Sequence, residues 1–450
     1  MSGRQYKLRH VEIAGYGAGD FGFNLYWTTL ASYLAAFYTD VFGLTAAAAA
    51  TMILVTRIVD AVTDPIMGAV ADRTRTRLGK YRPYLLFGGI PLAIAGVLAF
   101  TTPEYSDTGK LIWAYATYTV LMLCYTVVNT PYSALSGVMT NDSTTRTGLN
   151  AARFVFAFAC GAFVNKYTLP LVDYFGDGDA ALGWQKTMVL YGAVAIPLFW
   201  VTFFSAKERI QPPKAKTAAA KQDILDLLRN KPWIILFLLS MLVMMTVTMR
   251  GGSAYYYFHY YLERPDLLGN YLLSQSIAYA AGAIAAPFLT VYIDKAKLLM
   301  ILMGLVGLFS VAFAFVPADQ IELIFTLNIL ISLAMGPKSP ITWSMYADSA
   351  DYNEWRVGRR ATAMTFAAAT FAQKLGGSIG AAMMLSILGW LGYAAKQAQS
   401  EASLQGINLL QTLLPGVFAL LAMVAVSRYA LTREKLADIQ ADLEARDASK

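Results

Sequence analysis

Two cysteines and two histidines in 450 residues leave little room for sulfur or imidazole chemistry. A disulfide framework or a zinc site needs several such ligands at set spacings, and Cys124, Cys160, His10 and His259 each stand alone. Both cysteines fall inside apolar runs, where a free thiol behaves as a small hydrophobe. Charge is scarce as well: Lys, Arg, Asp and Glu make up 14 % of the chain, against about 25 % in a soluble domain. No glycine-rich phosphate cradle occurs, so nothing points to ATP-driven work, and no nucleophile stands beside a matching base. Neither an enzyme nor a resident cofactor is expected.

Apolar residues are plentiful: they reach 57 % of the chain, with a mean hydropathy of +0.47. A membrane-spanning helix takes roughly 20 of them. The sequence divides into apolar runs at 15–42, 44–71, 83–102, 111–136, 148–170, 185–205, 233–261, 270–293, 298–316, 320–346, 361–391 and 406–430. The expected fold is an all-α integral membrane protein with twelve transmembrane helices in two six-helix halves, 1–205 and 233–430. A linker, 206–232, joins the halves, and a tail, 431–450, follows. Residues 222–230 (QDILDLLRN) read as a short amphipathic helix lying on the membrane.

Lys and Arg orient the chain. They gather at Arg4, Lys7 and Arg9, in the loop from Arg73 to Arg82, in the linker from Lys207 to Lys231, and at Arg356 to Arg360; the alternate loops hold few. The positive-inside rule then puts both termini, the linker and the tail in the cytoplasm of a bacterial-type inner (plasma) membrane. The net charge of +7 is spent on these loops. It forms no base-reading face, so no nucleic-acid partner is expected.

Charge inside an apolar run is costly and marks a functional position by default. The second run carries Arg57, Asp60 and Asp64 in TRIVDAVTDP. The two acids are four apart and share a helical face. Pro65 removes a backbone donor and frees the Ala61 carbonyl. Oxygen ligands of this kind suit a hard cation, and close carboxylates also suit a proton; pairing of either acid with Arg57 or with a basic group elsewhere is the alternative. In the fourth run Tyr125, Thr126, Asn129 and Tyr132 surround Pro131, and Thr126 and Asn129 either face those acids or join helices. Asp20 and Asn24 in the first run, Arg153 in the fifth, and Thr370 and Lys374 in the eleventh supply donors and acceptors beside Tyr16, Phe23 and Trp27. Such a set fits a sugar or an anionic substrate, or else forms buried ion pairs between the halves. Arg250 and Lys338, near run ends, read as snorkelling side chains. The aromatic stretch Tyr255 to Phe258 reads as an interfacial belt rather than a pocket wall.

Residues 60–83, DAVTDPIMGAVADRTRTRLGKYRP, resemble the signature of the glycoside–pentoside–hexuronide:cation symporters, the melibiose-permease branch of the major facilitator superfamily. YGAGDFGFNLYW, CYTVVNTPYSAL, MYADSADYNEWRVGRR and TFAQKLGGSIG extend the resemblance over nearly the whole chain. It implies a major-facilitator fold and sugar uptake by alternating access, coupled to sodium or protons. It also implies cation ligands at Asp60, Asp64, Thr126 and Asn129, and substrate contacts at Asn24, Asn129, Arg153, Thr370 and Lys374; Asp20 and Tyr125 join that set on the residue reading. The chain departs from the melibiose pattern at Phe23, Asn24, Thr63, Asn129 and Ser133, which argues against melibiose itself. Arg73 and Arg77 are expected to meet Asp348, Asp351 and Glu354 as a cytoplasmic gate. The expected partners are a small sugar, the coupling cation and membrane lipid, with no obligate protein partner. A lysophospholipid symporter on the same fold is the alternative, and competition of sugar uptake by lysolipid separates the two.

Overall fold

The computed structural model describes residues 8–140, 143–209, 227–358 and 362–448, and among them the regular structure is helical. The chain forms two compact units. One comprises Met1–Lys214 with Tyr393–Ala398; the other comprises Ala215–Gly392 with Gln399–Lys450. The amphipathic helix expected at 222–230 lies mostly outside the described residues.

The first unit holds α1 (His10–Ala36, continued by a wider turn over Phe37–Val41), α2 (Ala46–Arg73), α3 (Arg82–Ala99), α4 (Asp107–Met139), α5 (Ser143–Gly176) and α6 (Ala180–Ser205). Within it α1 packs against α5 and α6, α3 against α4 and α6, and α2 against α4. The second unit holds α7 (Lys231–Tyr256, continued over Tyr257–Tyr261), α8 (Leu268–Tyr292), α9 (Lys295–Ala314), α10 (Ile321–Met335), α11 (Lys338–Val357), α12 (Thr362–Trp390), α13 (Glu401–Gln411), α14 (Leu413–Val426) and α15 (Arg433–Ala448). There α7 packs against α12 and α14, α8 against α10, and α9 against α14.

Helix starts are written in the sequence. Thr45, Ser106, Asp179, Asn230, Asp294 and Ser400 each accept a backbone N–H from the first turn that follows, the usual work of a capping oxygen. Among the described residues, eleven segments are long and apolar enough to cross a membrane. In that count α10 and α11 form one segment, as do α13 and α14. The first expected span, α1, is not among the eleven. Its glycines, tyrosines, Asp20 and Asn24 lower its hydropathy, and most of it is buried.

Two expectations are corrected. Tyr256, Tyr257 and Phe258 are fully buried, packed on Phe313 and Tyr271, so this stretch is core and not an interfacial belt. Arg250 and Lys338 are buried too, at 1 % and 5 % exposure, and so do not snorkel. Arg250 meets a polar cluster in the core of its unit, where its Nη2 donates to Asn328 Oδ1 at 2.7 Å. The tail, expected only as cytoplasmic, forms α15, and Trp355 Nε1 donates to its Asp442 at 2.9 Å.

The break between α10 and α11 depends on glycine. A Cβ at Gly336 would lie 2.3 Å from the Tyr279 carbonyl and 2.6 Å from the Ala283 nitrogen on α8. Facing it, a Cβ at Gly282 would lie 2.2 Å from the Leu333 carbonyl. Only small residues let two membrane helices approach this closely.

Candidate cation and substrate site

The first unit brings α2 and α4 together through one hydroxyl. Asp60 and Asp64 stand a turn apart on α2. Thr126 Oγ1, on α4, lies 2.8 Å from Asp60 Oδ1 and 3.1 Å from Asp64 Oδ1. A hydroxyl has one proton, so Thr126 donates to one carboxylate at a time. Asp60 and Thr126 are buried, at 1 % and 2 % exposure. At a separation on the order of 5 Å and an effective dielectric of about 20, two carboxylates repel by roughly 3 kcal/mol. Arg57, considered from sequence as a partner for these acids, instead places its guanidinium 4.8 Å over the Trp27 ring. Thr63 hydrogen-bonds the Asp60 carbonyl at 3.0 Å, a local contact that stiffens this turn of α2.

A second charged pair joins α1 to α5. Arg153 Nε donates to Asp20 Oδ2 at 2.6 Å, and its Nη2 donates to Oδ1 at 3.2 Å. This two-pronged geometry suits the planar guanidinium. The pair is largely but not wholly closed, with side-chain exposures of 25 % for Arg153 and 10 % for Asp20. The guanidinium also lies 4.9 Å over the Tyr132 ring, an attraction to its π-face. Both residues were expected at the substrate or in ion pairs between the halves; they pair with each other inside one unit.

Aromatic side chains fix this arrangement. Tyr16 and Tyr132 stack with centroids 4.7 Å apart. Tyr16 Oη donates to the Tyr132 carbonyl at 3.1 Å, and Tyr132 Oη donates to the Tyr16 carbonyl at 2.7 Å. This reciprocal clasp pins α1 to α4. Phe23 packs against Tyr125, Tyr132 and Phe199. Asn24 spends its amide N–H on the Asp20 carbonyl at 2.8 Å. Asn129 is half-buried on α4, three residues from both Thr126 and Tyr132.

Thr370 and Lys374 lie on α12 in the second unit, one turn apart; Thr370 is exposed and Lys374 half-buried. The Ser378 hydroxyl donates to the Lys374 carbonyl at 2.7 Å. Of the expected gate residues, Arg73 and Arg77 are exposed near the end of α2. Asp348 accepts from Lys295 at 2.7 Å, so it has a basic partner inside its own unit. Asp351 and Glu354 follow on α11.

The loop after α2 holds a device that sequence reasoning missed. Glu208 accepts the backbone N–H groups of Lys80, Tyr81 and Arg82 at 2.8, 2.7 and 3.0 Å. A carboxylate here meets the unpaired donors and positive end of α3. Arg82 returns to the far end of α6, donating to the Phe203 carbonyl at 3.0 and 2.8 Å and covering its ring. Gly79 permits the approach: its φ is +117°, and a Cβ there would meet Glu208 at 2.7 Å. A lone acid just past the sixth run, beside the most basic loop, was the available signal.

The family described as MFS/sugar transport protein matches residues 15–433. The inner membrane symporter YicJ of Escherichia coli (strain K12) is 38 % identical over 96 % of this chain and 94 % of its own length. The isoprimeverose transporter of Lactiplantibacillus pentosus is 32 % identical over 95 % of this chain and 91 % of its own. A crystal structure of a D-xylose–proton symporter matches with TM-score 0.69, covering 94 % of this chain and 97 % of that one at 14 % identity, which speaks to the fold.

Proposed function

This chain belongs to the MFS/sugar transport family, and from that premise we propose that it is a secondary active transporter that carries a sugar together with a cation by alternating access. The observation that carries the reading is the Thr126 hydroxyl set against both Asp60 and Asp64 on buried helical surface. In the proposal these three side chains, with Asn129, hold the coupling ion, sodium or a proton. Two carboxylates and neutral oxygens suit sodium by coordination; the same pair suits a proton by sharing it.

The substrate is a glycoside, pentoside or hexuronide. Arg153 and Asp20, with Tyr125, Asn24 and Asn129, are the candidate contacts of the first unit, and Thr370 and Lys374 those of the second. Arg153 is the principal sugar donor. In the resting state Asp20 neutralises it; a sugar hydroxyl or carboxylate then exchanges for one prong of the pair, while Tyr132 keeps the guanidinium in place. The isoprimeverose transporter among the relatives supports a glycoside. Both termini face the cytoplasm.

A pH electrode in a lightly buffered, de-energised suspension of cells making the protein tests the proposal. Neutral glycosides, pentosides and uronides are added in turn, without and then with sodium. Alkalinisation with one sugar, absent in Asp60→Asn, is the result expected for proton coupling; labelled-sugar uptake driven by a sodium gradient is the result expected for sodium. Silence of a broad sugar panel in both assays overturns sugar symport.

A further inference from the structure

Arg57 comes three residues before Asp60 and seven before Asp64 on α2, so the three charges share one stripe of the helix. Opposite charges at this spacing attract, and an apolar surrounding strengthens the attraction. The structure shows a different arrangement. The guanidinium lies 4.8 Å over the Trp27 ring on α1, and among the described residues it forms no ion pair. Distance is not what keeps it from Asp60. The charges of both Arg57 and Asp60 act on the Tyr118 hydroxyl of α4, which also faces the guanidinium.

Trp27 is suited to holding a cation. An indole offers the strongest π-face to a guanidinium, and this one is set in a row of rings. Trp27 packs against Tyr125 with centroids 6.0 Å apart, and Tyr125 packs against Phe23 at 5.5 Å. Tyr125 adjoins Thr126, whose hydroxyl serves both carboxylates. On α1, Asp20 and Asn24 stand seven and three residues before Trp27, on the same face. The indole therefore stands between the sugar candidates of α1 and the charges of α2. An arginine paired with Asp60 would engage the oxygens that a coupling ion needs and cancel the charge that attracts it.

We propose that Trp27 is a positioning residue for ion binding: its ring holds Arg57 off Asp60 and Asp64 and so keeps the guanidinium from competing with the ion. The inference rests on the reading of those two acids as the ion site. Arg57 is a competitor built into α2, and the indole is where it is kept.

The test is a pair of double-mutant cycles, read as Tm of the purified full-length protein in sodium-free medium. Arg57→Gln and Asp60→Asn are combined with Trp27 intact and again in Trp27→Leu. Their coupling is expected to be weak with the indole present and strong without it, because the released guanidinium pairs with Asp60. Trp27→Met is run beside Trp27→Leu, so a failure of one to fold leaves the other to decide. Trp27→Phe keeps a π-face and is expected to keep the coupling weak. Equal coupling with and without the indole overturns the proposal. Sodium, exchanged for choline at constant ionic strength, probes the consequence. The sodium concentration giving half the rise in Tm is expected to increase about tenfold in Trp27→Leu and to return when Arg57→Gln is added. A merely structural loss lowers Tm without moving that midpoint. Coupling that emerges while the sodium response is absent or unchanged upholds the role of Trp27 in placing Arg57 and counts against sodium at the carboxylate pair, so the two failures are distinguishable.

Discussion

At the scale of single residues, two pairs organise the first unit: Asp20 with Arg153, and Asp60 with Asp64 around Thr126. Their helical spacing and their misplaced charge were legible in the sequence, because a carboxylate inside an apolar run is conspicuous. Thr126 was named beside the acids of α2, but where the two arginines turn was not legible. Four-residue spacing shows that Asp60 and Asp64 share a face, but not that Arg57 turns to Trp27 instead. Nor does it show that Arg153 reaches 133 positions back to Asp20. Breaking a buried ion pair leaves an uncompensated charge worth about 3–5 kcal/mol. Asp20→Ala and Arg153→Ala are each expected to lower thermal stability by more than the double variant does, a coupling readable from a double-mutant cycle of Tm values. Strictly additive losses would place the two side chains out of contact.

At the scale of elements, the helices were readable from hydropathy and from their capping residues, while their ends and approaches were set by packing. The α10–α11 break is the clearest case: Gly336 and the prolines after it mark a turn in the sequence, yet the need for glycine comes from the Tyr279 carbonyl 2.3 Å from its missing Cβ. Gly336→Val is expected to cost about 1–3 kcal/mol by forcing α8 and α10 apart, visible as a lower Tm, whereas serine at Val291, exposed on α8, should change little. The start of α1 gives a pH prediction. Burial alone would raise the Glu12 carboxyl, but the Arg9 backbone N–H and the Arg209 guanidinium carry it below its ordinary value of 4.5. A depressed carboxylate contributes stability above its unfolded pKa and loses it as pH falls through the folded one. Wild type should therefore lose Tm below about pH 4.5, and Glu12→Gln, less stable at neutral pH, should show a shallower acid decline. Parallel acid declines in the two proteins would rule out this role.

At the scale of the whole molecule, composition pointed to a membrane protein, and the twelve apolar runs correspond to eleven spanning segments plus α1. The buried Arg250 cluster was hidden in the sequence. Hydropathy registers a polar residue near a run end as an edge, and only tertiary packing shows it enclosed. The account turns on the carboxylate pair being the point where ion and sugar movement are joined. Its most direct test is accumulation of the transported sugar in proteoliposomes under an imposed sodium or pH gradient, comparing wild type with Asp60→Asn. Wild type should concentrate the sugar above the external level while Asp60→Asn should not, in either gradient. Accumulation by Asp60→Asn to the wild-type level would contradict the account.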